Sequence, residues 1–215
     1  MAVRAPALTS EKETLILNAA QRRFAVYGLA KVTMDEIATD IGMGKASLYY
    51  YFPTKEHLFR SVIAREQAEF MQRLQTALAK DIPASEKLRK FTELRLDYSR
   101  SLLNLQVSNM MSYLLTKPVI HDLFETFASE EQRQLTEILR EGKRNGEFDV
   151  KSSEALATLM LHVFQGLRLR IMRASQIAAP AEPESEQLAR EMRHVTEVFL
   201  NGIRKTKISH RAERA

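Results

Sequence analysis

The chain has 215 residues, of which 45% are hydrophobic and 27% charged; this composition is typical of a globular protein that folds in water and argues against a disordered chain or a membrane protein. The absence of cysteine excludes disulfide bonds, a thiol nucleophile, an iron–sulfur cluster and a cysteine-type zinc site. The net charge of +5 is weak evidence for a polyanionic partner, because most of the excess belongs to five cations of residues 201–215: Arg204, Lys205, Lys207, Arg211 and Arg214.

The first residues of the chain lack the apolar segment of ~7–15 residues that a secretory signal peptide requires, so we expect a cytoplasmic protein. Glycine and proline are few, and apolar residues recur at three- and four-residue spacing almost throughout, which predicts an all-α protein. The first helix is predicted to begin at Ser10, which forms an S-x-x-E capping box with Glu13, and to end at Gly28.

Three further helices are predicted before residue 81. The second begins at Thr33 with another capping box and ends at Gly42, since glycine commonly terminates a helix. The third begins near Gly44 and ends before Pro53, because a residue that precedes proline is disfavoured in the helical region. The fourth is capped by Thr54 and extends to about residue 80.

Longer helices are predicted for the rest of the chain, over residues 85–105, 107–117, 119–144, 152–175 and 185–205. The segment 175–184 contains two prolines and is predicted to be a loop. The longest stretch without a charge, 101–116, has 16 residues, fewer than the about 20 apolar residues of a transmembrane helix. The change from short to long helices predicts a helix-turn-helix head (1–52), a connecting helix (53–80), a helical body (81–205) and a disordered basic tail (206–215).

The second and third predicted helices have the pattern of a helix-turn-helix pair. Ile37 and Ile41 share one helical face, the small Ala38 permits a close approach of the next helix, and Gly42 allows a tight turn. In the third helix, Leu48, Tyr51 and Phe52 share the inward face, which makes Tyr51 the buried member of the three consecutive tyrosines. The outward face then carries Lys45, Ala46, Ser47, Tyr49 and Tyr50.

No carboxylate occurs between Ile41 and Lys55, so this outward face suits the groove of a polyanion. Its donors can reach phosphates or base edges, and its tyrosine rings can contact thymine methyl groups. The alternative is that Tyr49 and Tyr50 are half-buried surface aromatics that pack on a neighbouring helix.

The segment resembles the DNA-binding head of the TetR/AcrR family of bacterial transcriptional regulators. The matching positions are Thr33, Ile37, Ala38, Gly42, the Leu-Tyr-Tyr-Tyr-Phe run 48–52 and the Lys-Glu-His-Leu run 55–58. The resemblance implies a homodimer that binds a palindromic double-stranded operator through Thr33, Lys45, Ala46, Ser47, Tyr49, Tyr50 and Lys55. Two positions depart from the family pattern, because Gly44 replaces a common serine and Ala46 a common glycine. An operator sequence therefore cannot be carried over from a relative.

The resemblance also implies that the body dimerises through its last two helices. Apolar stripes in these helices support this interpretation, although the same stripes would suit an intramolecular core. The predicted dimer-interface residues are Leu156, Leu159, Met160, Val163, Leu167, Leu188, Met192, Val195 and Phe199.

Many members of the family enclose a small hydrophobic effector in the body, so we expect a one-component repressor that such an effector releases. The candidate effector contacts are aromatic, methionine and isolated polar residues of the body helices: Phe91, Tyr98, Leu102, Asn109, Met110, Tyr113, Phe127, His162 and Gln165. The alternative is a helical sensor or partner-binding protein whose head is retained but binds DNA without sequence preference.

The sequence offers no catalytic constellation, so neither an enzyme nor a cofactor is predicted. The five histidines are distant from one another, and no helical metal-binding pair occurs. The glycine cluster at 42–44 lacks the third glycine and the preceding strand of a nucleotide-binding loop. The adjacent Glu130 and Glu131 are interpreted as part of a solvated charged face.

Overall fold

The computed structural model describes residues 11–104, 118–177 and 183–205. These ranges contain eight α-helices: α1 (Glu11–Lys31), α2 (Met34–Asp40), α3 (Lys45–Tyr51), α4 (Lys55–Leu78), α5 (Ala84–Asn104), α6 (Pro118–Arg144), α7 (Ser153–Ile177) and α8 (Glu184–Ile203). No β-strand occurs in them, and one isolated antiparallel bridge joins Phe148 to Arg204. The prediction of an all-α protein is confirmed. The predicted helix 107–117 and the predicted tail 206–215 lie outside the described residues.

Local hydrogen bonds and glycines set the ends of the short helices. The hydroxyl of Thr33 accepts a hydrogen bond from the N–H of Glu36 at 3.3 Å, and the Glu36 carboxylate accepts one from the N–H of Thr33 at 2.8 Å. This confirms the predicted capping box of α2. Gly28 has a φ angle of 74° and interrupts the helical backbone near the end of α1. Gly42 follows α2 and has a φ angle of 62°. Such angles strain any residue with a Cβ atom. The predicted box at Ser10 involves a residue outside the described ranges.

The longer helices agree with the sequence prediction to within a few residues. Thr54 caps α4, because its hydroxyl accepts a hydrogen bond from the N–H of His57 at 3.2 Å. The first helix continues past its predicted end at Gly28 to Lys31, and the predicted loop at 175 begins later, since α7 continues to Ile177. The proline at position 180 restricts only the residue directly before it, so positions 175–177 can complete the last helical turn.

The described residues form two compact units. One consists of residues 11–71 with 97–104 and 118–127, and the other of residues 72–96 with 128–177 and 183–205. In the first unit, Phe24 of α1 and Phe59 of α4 are fully buried and their rings meet edge to face, with the centroids 5.1 Å apart. Ile37 of α2 and Leu48 of α3 are buried in the same unit. The domain boundaries at 52, 80 and 205 stay predictions.

In the second unit, α5 and α8 carry the same R-x-x-T-E sequence, at positions 89–93 and 193–197. The arginine of each segment donates to the glutamate of the other, with a nitrogen–oxygen distance of 2.6 Å in both pairs. Between the two pairs, the hydroxyls of the buried Thr92 and Thr196 lie 2.8 Å apart. Each arginine can reach the opposite glutamate only if the helices run antiparallel, so this reciprocal pairing aligns α5 with α8.

None of the helices in the described part of the chain combines the length and the apolar composition that a membrane span requires.

Candidate nucleic-acid interface

Helices α2 and α3 form a tightly joined pair. In the connection, the N–H of Met43 donates to the carbonyl of Ala38 at 2.9 Å and the N–H of Gly42 donates to the carbonyl of Thr39 at 3.1 Å. Ala38, together with Ile37 of α2 and Leu48 of α3, is buried. The predicted turn and the predicted apolar contacts therefore hold α3 at a defined angle to α2.

The side of α3 that faces away from the core carries five of the predicted DNA contacts. Lys45, Ala46 and Ser47 are exposed, and the exposed fractions of Tyr49 and Tyr50 are 39% and 84%. Because Leu48 is fully buried and each residue rotates by about 100°, positions 46, 47, 49 and 50 must turn outward. The inward-facing Tyr51 is half-buried, and its ring meets that of Tyr50 edge to face at 5.5 Å.

Thr33 and Lys55, the two predicted DNA contacts outside α3, make hydrogen bonds within the protein. The Thr33 hydroxyl takes part in the capping box of α2 while the residue stays exposed. The ammonium group of Lys55 donates to the carbonyl of Val32 at 2.8 Å, and the residue is half-buried. Lys55 therefore connects the start of α4 to the segment before α2. The ammonium group also donates to the carbonyl of Ala30 at 3.5 Å, so one of its three donors is left for a phosphate.

Arg23, which is not among the predicted site residues, positions α2 against α1. The guanidinium of Arg23 donates to both carboxylate oxygens of Asp40, at 2.6 and 2.7 Å, and lies 3.3 Å from a carboxylate oxygen of Glu36. The hydrogen bonds from Arg23 lower the pKa of Asp40, and those from Thr33 lower the pKa of Glu36. No local pattern links residues 17 positions apart in two different helices, so the sequence carried no signal for this contact.

Lys45, the predicted groove contact at the start of α3, is bonded to α2. Its ammonium group donates to the carboxylate of Asp35 at 2.8 Å, and this hydrogen bond raises the pKa of Lys45. The carboxylate-free segment 42–54 is therefore next to a carboxylate in the fold, one that belongs to the preceding helix.

The helix-turn-helix pair with its exposed cationic and aromatic face lies within a segment that matches a known protein family. A family model described as bacterial regulatory proteins, tetR family, matches residues 16–62. A second model, described as QacR-like protein, C-terminal region, matches residues 66–205. The chain belongs to the TetR family of bacterial regulatory proteins. The resemblance that the motif at 33–58 indicated is thereby confirmed. The fold and the family of this chain are those of transcriptional regulators.

Solved and curated relatives agree with this assignment. The crystal structure of a transcriptional regulator from Cytophaga hutchinsonii ATCC 33406 is 40% identical, with a TM-score of 0.82, and the match covers 91% of this chain and 100% of that chain. A regulator from Saccharomonospora viridis, solved in complex with choline, is 21% identical with a TM-score of 0.73, and covers 91% and 99%. The nucleoid occlusion factor SlmA of Vibrio atlanticus (strain LGP32) is 24% identical over 176 residues, which are 81% of this chain and 90% of that protein.

Within the TetR-family fold, the predicted effector contacts divide between the two units. In the first unit, the rings of Tyr98 and Phe127 lie 4.8 Å apart, and each lies 5.5 Å from the ring of Phe70. All three residues are buried. In the second unit, Phe91 is fully buried, Gln165 is half-buried and His162 is exposed. The side chains of Leu102, Asn109, Met110 and Tyr113 lie outside the described part of the chain.

The predicted dimer residues of α7 and α8 fall into two groups. Met160, Leu188 and Met192 are buried within the chain, because α7 and α8 pack against each other, so these three residues serve the intramolecular core. The other members are at least partly accessible: Leu156, Leu159, Val163, Leu167, Val195 and Phe199. Leu159 of α7 and Val198 of α8 are 51% and 57% exposed, and Val198 was not among the predicted residues.

The expectation that Glu130 and Glu131 share a solvated face is wrong for Glu131. This residue is only 1% exposed and pairs with the buried Arg95 of α5, whereas Glu130 pairs with Arg133. Successive helical residues point about 100° apart, so neighbours in sequence reach different environments. Burial raises the pKa of Glu131, while attraction by Arg95 and Arg168 acts in the opposite direction. The described residues contain no group of three or more side chains able to hold a metal ion.

Proposed function

We propose that the protein is a cytoplasmic one-component transcriptional repressor, which binds a palindromic operator as a homodimer and is released by a small hydrophobic effector. The observation that carries the proposal is the exposed face of α3, where Lys45, Ser47, Tyr49 and Tyr50 surround the buried Leu48. A helix of this kind fits the major groove, where lysine reads guanine and aromatic or methyl groups contact thymine.

Dimerisation follows from the geometry that such binding needs. Two heads must reach half-sites about 34–36 Å apart, which a two-fold symmetric protein does by presenting the same surface twice. The accessible apolar side chains of α7 and α8, among them Leu159 and Val198, support an isologous interface built from these helices.

Selection of bound duplexes from a random pool tests the DNA-binding proposal. We expect the wild type to enrich an inverted repeat. The Lys45→Ala/Tyr50→Ala variant should lose this enrichment, because two of the exposed side chains of α3 are removed. At fixed salt, the affinity for the selected duplex should fall by roughly 10²-fold or more, since each good base contact contributes about 1–3 kcal/mol of discrimination.

The control is the Leu15→Glu variant, which changes an exposed side chain of α1 outside the proposed contact set. It should enrich the same repeat as the wild type. If wild type and double variant bind all duplexes equally weakly, the operator proposal fails.

That outcome would favour the second candidate function, a helical sensor or partner-binding protein with a head that binds DNA without sequence preference. The curated relatives support this candidate, because several proteins that match the chain are named nucleoid occlusion factors and not repressors.

The effector proposal rests on the aromatic side chains inside the fold, in particular the cluster of Phe70, Tyr98 and Phe127. We expect a hydrophobic, planar or cationic compound to raise the melting temperature in a thermal-shift screen and to weaken operator binding, since a ligand stabilises the state that it binds. For each protein, the stabilisation is the rise in melting temperature that the compound causes. This rise should be smaller in a Phe127→Ala variant than in the wild type. If no compound changes either measurement, the effector proposal fails while the DNA-binding proposal stands.

A further inference from the structure

Helix α2 carries three carboxylates, and their partners differ in kind. Glu36 and Asp40 both contact Arg23 of α1, and Glu36 also closes the capping box, so these two anchor α2 within the head. Asp35 instead accepts a hydrogen bond from the ammonium group of Lys45 at 2.8 Å. Its partner is therefore a side chain of the face proposed to meet DNA.

The Asp35–Lys45 ion pair can break at little cost to the stability of the fold. The side chains of Asp35 and Lys45 are 57% and 63% exposed, so water screens their attraction and the pair adds little to the stability of the fold. Asp35 lies in the first turn of α2, where the helix dipole stabilises a negative charge even after the lysine has left. Arg23 and Asp40, by contrast, are held by two parallel hydrogen bonds.

Asp35 and DNA compete for the same ammonium group. On a duplex of unrelated sequence, Lys45 would have to leave Asp35 to reach a phosphate, and the released carboxylate would stay beside a polyanion. On an operator, Lys45 would donate to a base edge with another of its three N–H groups while it keeps the bond to Asp35, so the pair is not broken.

We propose that Asp35 is a specificity-determining residue, which withholds Lys45 from DNA that lacks the operator sequence. This inference rests on the proposed function of α3. The Asp35 carboxylate would raise the ratio of specific to non-specific binding, because the ion pair opposes phosphate contacts more than base contacts.

The test compares wild type and Asp35→Asn on two duplexes of equal length and composition, the selected operator and a scrambled sequence, over a series of salt concentrations. For the scrambled duplex, we expect the affinity of the variant to rise about two- to five-fold, as for the loss of an exposed ion pair. The slope of log affinity against log salt should steepen by about 0.9, which corresponds to one more phosphate contact. Operator affinity should change less than about two-fold, so that the specificity ratio falls.

Two further variants make the result specific. Asp81→Asn causes the same change of net charge at an exposed aspartate that precedes α5, and it should leave both affinities and both slopes as in the wild type. In a Lys45→Gln background, Asp35→Asn should no longer raise the affinity for the scrambled duplex, because the side chain that it releases is absent.

The proposal is overturned if Asp35→Asn matches Asp81→Asn on the scrambled duplex, if both duplexes gain affinity equally, or if the gain persists in the Lys45→Gln background. If the wild type selects no operator, the proposed function fails first, and this result is distinguishable because it precedes the comparison of variants.

Discussion

We expect Leu159→Glu to convert the proposed dimer into monomers. Leu159 is half exposed on α7, and a carboxylate at this position would be buried without a partner charge in an interface made by α7 and α8. A central interface residue is worth about 2 kcal/mol when it is disrupted, and an isologous interface contains each residue twice. The dimer dissociation constant should therefore rise by about 10³-fold, which sedimentation equilibrium over a concentration series measures.

The Leu159→Glu variant should no longer enrich the inverted repeat, but it should still bind a single half-site weakly, since the head is unchanged. Leu15→Glu is the matched control, because Leu15 is exposed to a similar degree and belongs to α1. If Leu159→Glu stays dimeric at micromolar concentration while Leu15→Glu behaves as the wild type, the interface lies elsewhere on the chain.

The second large effect is expected from Arg95→Met, which removes the cation paired with the buried Glu131. Both residues are more than nine-tenths buried, and removal of Arg95 leaves the attraction by Arg168 to oppose the burial of the Glu131 charge. Loss of one member of a buried pair typically costs about 3–5 kcal/mol. We expect a decrease of this size in the free energy of unfolding at pH 7.5, measured by chemical denaturation.

The free energy of unfolding of the Arg95→Met variant should depend on pH in a defined direction. Burial raises the pKa of Glu131 above its ordinary value of 4.5, and removal of Arg95 raises it further. The folded state then holds a proton that the unfolded chain has released, so the stability of the variant falls as pH rises above the ordinary pKa of 4.5 towards the raised pKa of the folded state. Introduction of Glu131→Gln into the Arg95→Met variant should remove this dependence, because no titrating group is left at position 131.

An apolar replacement of both partners is the structural control. Arg95→Met/Glu131→Leu should regain most of the lost stability, since two buried charges are replaced by side chains that pack. A destabilisation of less than about 1 kcal/mol in Arg95→Met, without pH dependence, would contradict the assignment of Glu131 as a buried, charge-compensated group.

Local rules explain why the head was the most predictable part of the molecule. The capping box of Thr33 and Glu36 spans four residues, and the left-handed angles of Gly28 and Gly42 belong to single residues, so each could be inferred from short segments. The outward face of α3 followed from the position of Leu48 and the helical period. The family assignment rests on the same short segments, and it was confirmed by matches over the head and the body.

The periodic pattern of the body did not separate two kinds of apolar position. Met160, Leu188 and Met192 share their stripes with Leu159 and Val195, yet the first three are buried within the chain. An apolar stripe indicates that a helix face is covered, but it does not distinguish cover by the same chain from cover by a second copy.

The sequence by itself determined the helices, their caps, the buried face of the helix-turn-helix pair and the family, because these depend on residues within a few positions of one another. Only the tertiary structure decided which charged groups pair. Arg23 with Asp40, Lys45 with Asp35 and Arg95 with Glu131 each join two helices. Such partners are chosen by the packing of the helices, and an exposed glutamate and a buried one look the same in the sequence until that packing places one of them in the core.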